Sequence, residues 1–362
     1  MQSFFIISPL NLEKEVKEEL ILKWQLYIDE ELPKITTVKG GVEIECKFED
    51  GLKLNQILRG ANKVLLRIKT QVCRDLPKLF KIISRVDWKK YLVHESANFI
   101  ITAKESRIIH TKRIEDTCKD ALDKYFKANK IRQNKLDQFK DHDKANIYLR
   151  LYKDELTISL DTTGELLYKR DELNYKGLAP LRNSLASLIN KFLMDNISAD
   201  ISKLKLIDPM CGSATLLHEA KNYYQANNRK FYFEVITPAF DLNTIDKSPY
   251  ESYRGHDISA DIISKLKVNG VEFSKEDVFS DKSFNDDCVC ILNPPYGKKI
   301  KIKEEPSVFF NKLIKSIQQK YSPRAIGIII PEGVKLQFKA KKTLRVFNSG
   351  IWVKFVILEL AR

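Results

Sequence analysis

The residues with the most chemical promise form one short run, Asn293-Pro294-Pro295-Tyr296, directly after the apolar stretch Cys288-Val289-Cys290-Ile291-Leu292. That stretch has the composition of a buried parallel strand. The two prolines lack N–H groups and have fixed φ, so the backbone leaves the sheet along a rigid path with its carbonyls directed outward. The amide oxygen of Asn293 and the freed carbonyl of Pro294 make a pair of acceptors. They suit an amine whose lone pair is delocalised, either an exocyclic amine on a heteroaromatic ring or an amide nitrogen. Holding both of its N–H bonds would aim the lone pair at a methyl donor, which is catalysis by orientation. Tyr296 would supply a flat face for a base taken out of its stack. The same four residues also read as a strand ended by a Pro-Pro turn with a core tyrosine, so the decision rests on context.

A second constellation precedes the first. Asp208-Pro209-Met210-Cys211-Gly212-Ser213-Ala214-Thr215 lies between an apolar strand over 203–207 and a helix starting near Leu216. Strand, small-residue turn and helix make the first βα unit of a sheet that binds a dinucleotide or an adenosyl group. Gly212, Ser213 and Ala214 let a ligand approach the backbone, where the helix N-terminus offers unpaired N–H groups. The turn is not G-x-G-x-x-G and no second glycine triplet cradles a pyrophosphate, which favours a ligand without phosphates. A plain tight turn is the structural alternative.

Two more carboxylates close strands: Asp257, after Tyr253-Arg254-Gly255-His256, and Asp277, after Val271-Glu272-Phe273 and Glu276. The first suits a ribose diol, and the second can accept from an adenine amino group. Either would serve equally as a helix N-cap. His256 reads as structural, and Cys288 and Cys290, on one face of a buried strand, read as core.

The elements that must position these residues follow from periodicity. A short strand over 4–8 precedes a helix that Asn11 caps and that runs to about Leu22, and a hairpin over 35–48 turns at Gly40-Gly41. A short helix from Leu52 to Ala61, a strand from Val64, a helix near 75–84 and a short helix around Trp88 come next. A strand over 98–103 and a helix over 111–128 lead to strands over 146–152 and 155–161, joined at Lys153-Asp154. Residues 162–177, with Gly164, Arg170 and Gly177, read as a linker. Helices are expected over 181–196, 258–269 and 309–321, a strand over 325–330, and a closing hairpin over 344–360 that turns at Ser349-Gly350. An aromatic insert over 221–251 interrupts the second βα unit, and a basic loop, Lys298 to Lys303, follows Gly297.

The chain of 362 residues has room for two or three domains. Its apolar runs are too short to span a membrane, and its first residues read as a strand, not a secretion signal. Six scattered cysteines without a paired CxxC array imply reduced thiols in a cytosolic protein and no metal site. The formal charge of +14, dense between Arg59 and Lys90, suggests a polyanionic partner.

With both turns in view, the sequence resembles the THUMP-domain class I S-adenosylmethionine-dependent RNA guanine-N2 methyltransferases, the bacterial 23S rRNA enzyme family and its tRNA-acting relatives. The likeness is carried by Phe4-Phe5, Lys63-Val64-Leu65-Leu66-Arg67, Arg74-Asp75-Leu76, Ser159-Leu160-Asp161, Gly164-Glu165 and Ala179-Pro180-Leu181-Arg182. Asp208 to Ser213, Asn293 to Gly297 and the Asn348-Ser349-Gly350 hairpin complete it.

The resemblance implies an α/β architecture. A ferredoxin-like α+β module over 1–48 and a THUMP-like RNA-binding module over 49–162 would precede a Rossmann-like methyltransferase domain over 163–362. That domain would hold a seven-stranded sheet with a C-terminal antiparallel hairpin. It implies S-adenosylmethionine as cofactor, with Asp208, Pro209, Cys211, Gly212, Ser213 and Thr215 at its methionine and ribose. Asp257 with Ile258 and Asp277 with Val278 would meet its ribose and adenine. Asn293, Pro294, Pro295 and Tyr296 would hold the target amine, Asn293 beside the cofactor as well. The family carries glycine where this chain has Ala214, whose methyl is expected to crowd the cofactor. The partner implied is RNA, rRNA before tRNA, with no membrane or metal, for a cytoplasmic monomer. DNA adenine-N6 or protein glutamine methylation are the other enzymatic readings, and an RNA-binding assembly factor without catalysis is the reading from another class.

Overall fold

The computed structural model describes residues 1–92, 96–129, 144–170, 173, 175, 181–296 and 304–359. Gly177, Ala179, Pro180 and the basic segment from Gly297 to Lys303 lie outside the described residues.

Near the N-terminus, β1 (Gln2–Ile7) turns Phe4 and Ile6 inward and pairs antiparallel on both sides. Its partners are β3 (Gly41–Cys46) and β4 (Lys63–Val72). β2 (Ile35–Val38) extends one edge. On the other side follow β5 (Asn98–Lys104), β6 (Asn146–Tyr152) and β7 (Glu155–Asp161), in the order β2-β3-β1-β4-β7-β6-β5. Strands from both N-terminal segments thus share one seven-stranded sheet. Lys153 and Asp154 take φ of 50° and 61°, the left-handed pair that a two-residue hairpin between right-twisted strands requires.

Among the described residues, four α-helices accompany this sheet: α1 (Glu13–Tyr27), α2 (Phe48–Ile57), α3 (Leu76–Ile83) and α4 (Thr111–Ala128). Asn11 does not cap α1. It sits at φ 61°, the N-cap is Leu12 without a side-chain bond, and the helix continues past Leu22 to Tyr27 because Trp24 is buried in the core.

The C-terminal sheet is built from β8 (Lys205–Asp208), β9 (Ser252–Asp257), β10 (Glu272–Lys275), β11 (Cys288–Leu292), β12 (Ala325–Pro331), β13 (Lys342–Asn348) and β14 (Ile351–Glu359). Its order is β10-β9-β8-β11-β12-β14-β13, parallel from β10 through β12, with an antiparallel hairpin closing it. This is the class I methyltransferase fold. Every residue of β11 is buried, which explains its unbroken apolar run. α5 (Asn183–Asp195), α6 (Thr215–Lys221), α7 (Ala260–Lys265) and α8 (Pro306–Tyr321) supply the helices. α7 is shorter than the 258–269 expected, starting at a Ser259 cap and ending before Gly270 at φ 67°.

Residues 162–177 do not behave as a solvated linker where they are described. Arg170 is buried, and its guanidinium meets Glu219 of α6 at 2.9 Å while also donating to the Arg59 carbonyl at 3.1 Å. The Arg59 guanidinium reaches the same carboxylate at 3.0 Å. Burial would push the Glu219 carboxyl up, yet the Arg170 and Arg59 guanidiniums hold it below the ordinary range. Gly60 completes the junction: its N–H donates to Glu19 at 2.9 Å, and a Cβ there would stand 2.2 Å from Leu188 of α5.

The aromatic insert brackets the helices of the N-terminal sheet. Lys23 and Tyr27 of α1 donate to the carbonyls of Tyr223 and Tyr224. Gln56 exchanges two bonds with the Phe240 backbone, and Asn227 donates to the carbonyls of Asn55 and Leu58 at 3.1 and 2.7 Å.

Glu219→Gln keeps the shape but leaves two guanidiniums buried against a neutral amide. Urea unfolding should show a loss of about 3–5 kcal/mol, the usual consequence of breaking a buried ion pair from one side. A loss within error of zero would mean the junction does not couple the two sheets.

Candidate active site at the carboxyl edge of the C-terminal sheet

Chain order sets the position of the site. From β8 the chain winds outward through β9 and β10, then returns to place β11 on the other flank of β8. The connections leaving β8 and β11 therefore diverge and open a crevice at their carboxyl ends. Asp208 ends β8 and Asn293 follows β11, so both turns singled out in the sequence border this crevice.

Asp208 is 2% exposed, and its Oδ1 accepts from the Met210 N–H at 3.0 Å. Burial pushes its carboxyl up to about 8; the Met210 bond opposes this and the neighbouring Asp257 charge adds to it. Gly212 takes φ 50°, with open space where a Cβ would stand. Its N–H donates to Asp257 Oδ2 at 3.2 Å, and the other oxygen of Asp257 accepts from Ser259 N at 2.9 Å. Asp257 thereby ties the first turn to the end of β9, and the N-cap of α7 falls to Ser259. Ser213 and Thr215 are buried and share a hydroxyl bond at 3.1 Å, and Pro209 and Cys211 are also buried.

Ala214 does not crowd the crevice. It is the N-cap of α6 at φ 57°, fully buried, and its methyl belongs to the apolar core. The first turn thus accepts a left-handed alanine where glycine would be unstrained.

Asp277 lies beyond β10, exposed, its Oδ1 accepting from Phe279 N at 2.9 Å. Ile258 stands 64% exposed beside Asp257, an apolar surface left free at the edge. Val278 instead turns into the second apolar cluster.

On the β11 side, Pro294 is buried and Asn293, Pro295 and Tyr296 are partly buried. The Oδ1 atom of Asn293 is buried and, among the described residues, has no hydrogen-bond partner. Tyr296 is fixed from the closing hairpin: Asn348 Nδ2 donates to its hydroxyl at 3.1 Å. Burial raises the Tyr296 hydroxyl and the Asn348 bond opposes the rise, so the ring is neutral. Asn348 is 5% exposed, and its own Oδ1 also lacks a partner. Its part was not foreseen; the signal was its place immediately before the left-handed Ser349-Gly350 turn, which directs the side chain back toward Tyr296.

His256 is remote from chemistry. It is fully buried, hydrogen-bonded to Tyr321 at 2.7 Å and flanked by Phe284, and burial holds its imidazole down to about 4. Cys288 and Cys290 lie in the second apolar cluster with Ile207 and Leu292.

One flank of the crevice therefore offers Asp208 and Asp257 around an open glycine turn, with Asp277 farther along the sheet edge, and the other an amide oxygen without a partner among the described residues beside a held aromatic ring. The first flank fits a cationic, hydroxyl-rich ligand without phosphates, and the second an amine donor.

Residues 170–348 match the family described as RMKL-like, methyltransferase domain (UPF0020). The chain is 27% identical over 290 residues to a ribosomal RNA large subunit methyltransferase K/L of Colwellia psychrerythraea, covering 72% of this chain and 40% of that protein. It is 21% identical to the enzyme of the same name from Shewanella amazonensis, covering 99% of this chain and 53% of that one. The chain thus spans about half the length of the curated relatives it matches. Among solved structures, the SAH complex of SMU.472 superposes with a TM-score of 0.76 at 19% identity, covering 100% of this chain and 98% of that one. TrmN from Thermus thermophilus superposes with a TM-score of 0.66 at 16% identity, covering both chains fully at 100%.

Asp208 gives the site a pH signature. Its folded value lies above the ordinary carboxyl value of 3.8, so its contribution to stability is complete at low pH and is lost as pH rises toward about 8. Asp208→Asn removes the titration and keeps the bond from Met210. Denaturant titrations should show the variant gaining on wild type between pH 4 and pH 8, roughly, by a few kcal/mol. A difference that stays constant across that range would mean Asp208 is charged throughout.

Proposed function

We propose that this chain, whose residues 170–348 match the RMKL-like methyltransferase domain family, methylates the exocyclic N2 amine of a guanine in structured RNA, rRNA of the large subunit first and tRNA second. The observation that carries the reading is the buried, unpartnered Oδ1 of Asn293 across the crevice from Asp208. A buried acceptor without a donor costs about 1–3 kcal/mol, and a donor arriving with substrate would recover it.

The cofactor in this reading is S-adenosylmethionine, which supplies an activated methyl group when bound. Asp208, poised to lose its proton, meets the ammonium of the methionine part, and the Pro209–Thr215 turn lies along it, with Gly212 leaving the backbone open. Asp257 holds the ribose hydroxyls, Ile258 gives the adenine an apolar face, and Asp277 with the Val278 backbone reads its edge. Asn293 Oδ1 and the Pro294 carbonyl accept both N–H bonds of the guanine amine, turning its lone pair toward the methyl. Tyr296, held by Asn348, stacks on the extruded base. The transfer needs no covalent intermediate, and its rate derives from alignment and from replacing water with fixed dipoles.

The division of labour we favour gives RNA selection to residues 1–162, as a ferredoxin-like segment and a THUMP-like segment on one sheet, and the chemistry to residues 163–362. The basic residues of the first part and the names of the curated relatives support it. Six free, buried thiols suit a cytoplasmic setting.

Product identity tests the whole reading. Labelled cofactor is incubated with unmodified rRNA, tRNA, genomic DNA and a glutamine-bearing protein substrate, followed by digestion and identification of the labelled species. Label is expected in N2-methylguanosine; label in methyladenine or glutamine with none in guanosine sinks it.

Asn293→Ala tests the carrying observation. Calorimetric binding of the cofactor should persist while turnover falls about a hundredfold or more, the scale set by loss of one preorganised acceptor. Turnover within a factor of about two of wild type would remove Asn293 from the mechanism.

A further inference from the structure

No helix lies between β10 and β11, although connections of this kind usually carry one to cover the sheet. The consequence is a groove of about 760 Å³ running along α8, with Phe279 of the helix-free connection on one wall and Lys335 to Gln337 on the other. Two apolar side chains stand open in it, Phe279 at 39% and Val308 at 58% exposure.

The charge of the groove is one-sided. Among the described residues Lys312, Lys315 and Lys335 line it, and no carboxylate does. Lys312 is shared between Glu304, at 3.2 Å, and the Phe279 ring, 5.2 Å from its centroid. Among the described residues Lys315 and Lys335 make no ion pair. The remaining polar lining consists of hydroxyl and amide side chains, Gln337 among them.

The groove also connects to the proposed catalytic pocket. The Phe279 N–H holds the Asp277 carboxylate, and Leu336 packs on the same apolar cluster as Tyr296. Free ammonium groups on α8 and on the Lys335 wall, with one exposed aromatic on the wall opposite, match a single strand of nucleic acid, which offers phosphates at regular intervals and bases that stack. A protein partner would meet only two isolated apolar side chains, too little for a docking core.

Resting on the substrate reading above, we propose that the groove along α8 seats the single-stranded RNA that flanks the target nucleotide, with Lys315 and Lys335 on phosphates and Phe279 stacked on a base. The groove sets affinity for the strand and takes no part in the methyl transfer.

The test uses the full chain, a short fluorescein-labelled single-stranded RNA and anisotropy across a KCl series. Lys315→Gln/Lys335→Gln should weaken binding about tenfold at low salt and lower the slope of log affinity against log salt by about 1.4, two phosphates at ~0.7 each. Phe279→Ala should weaken binding without changing the slope. Cofactor binding by calorimetry should be unchanged in both, since the substituted side chains are exposed. Wild-type binding combined with an unchanged slope in the double variant overturns the groove alone. No binding of RNA by wild type at low salt overturns the substrate reading and the groove together. Loss of self-association in sedimentation, with RNA binding intact, would reassign the groove to a second copy of the chain and overturn the proposal.

Discussion

The parallel pairing of β11 with β8, Cys288 to Cys290 against Lys205 to Ile207, is the constraint on which the rest of the structure depends. Both strands are central and largely buried, and alternate side chains of β11 pack into the two apolar clusters, so a one-residue slip would exchange its faces between them. The register places the end of β8 slightly behind the end of β11. Asp208 is therefore enclosed while Asn293 projects at the rim. Because β9 and β10 lie on one side and β11 on the other, neither connection can close over the crevice. The aspartates and the amide are brought together by topology, and local sequence only chooses what stands at each strand end.

A second constraint fixes the two sheets relative to each other. Arg59, Arg170 and Glu219 are all buried, and they come from the N-terminal sheet domain, the segment after it and α6. Such a cluster adds little net stability compared with apolar residues of the same volume, but it tolerates only one arrangement, since a misplaced guanidinium would be buried unpaired. The bonds from Lys23 and Gln56 to the 221–251 insert, and from Asn227 of the insert to the Asn55 carbonyl, add directional contacts over a wide area. α6 begins at the glycine turn beside Asp208 and carries Glu219 at its other end. A rigid link thus runs from the N-terminal sheet to the crevice, which is what selection of a substrate at one place and chemistry at another would require.

Legibility of the sequence divided along physical lines. Elements with strong local periodicity stood out: α4, with Ile114, Cys118, Ala121 and Leu122 on one face, and the hairpin of β6 and β7, with its left-handed Lys153-Asp154 pair. The unbroken apolar strand β11 and its abrupt end were equally plain, and they located the crevice. What could not be read was whatever depends on partners distant in sequence. Arg170 looks like a solvated linker residue until Glu219 and the Arg59 carbonyl are seen around it. The aromatic insert carries no periodicity because its side chains pack on another domain. Asn11 has the composition of a cap, but Leu12, fully buried, occupies that position and displaces it. Val278 follows an aspartate at a strand end as Ile258 does, yet packing against α8 turns one inward and leaves the other exposed.

The polar atoms of the crevice show where the fold gives up stability. Asn293 Oδ1 and Asn348 Oδ1 are both buried without a donor, and Asp208 is enclosed where its charge is disfavoured. Water or a small repacking would normally satisfy such groups. Here Pro294 restricts the backbone of Asn293 to extended conformations, and Asn348 is held by its bond to Tyr296. Ala214 adds backbone strain in the same turn that leaves Gly212 open. Asp208 and Ala214 belong to the turn after β8 and Asn293 to the turn after β11, while Asn348 reaches Tyr296 from the end of β13. His256 Nε2, also without a partner among the described residues, sits apart between the rings of Phe284 and Tyr321. A single unsatisfied group is ordinary; several converging on one crevice, each held in place by a rigid neighbour, are what a site preorganised for a ligand must contain.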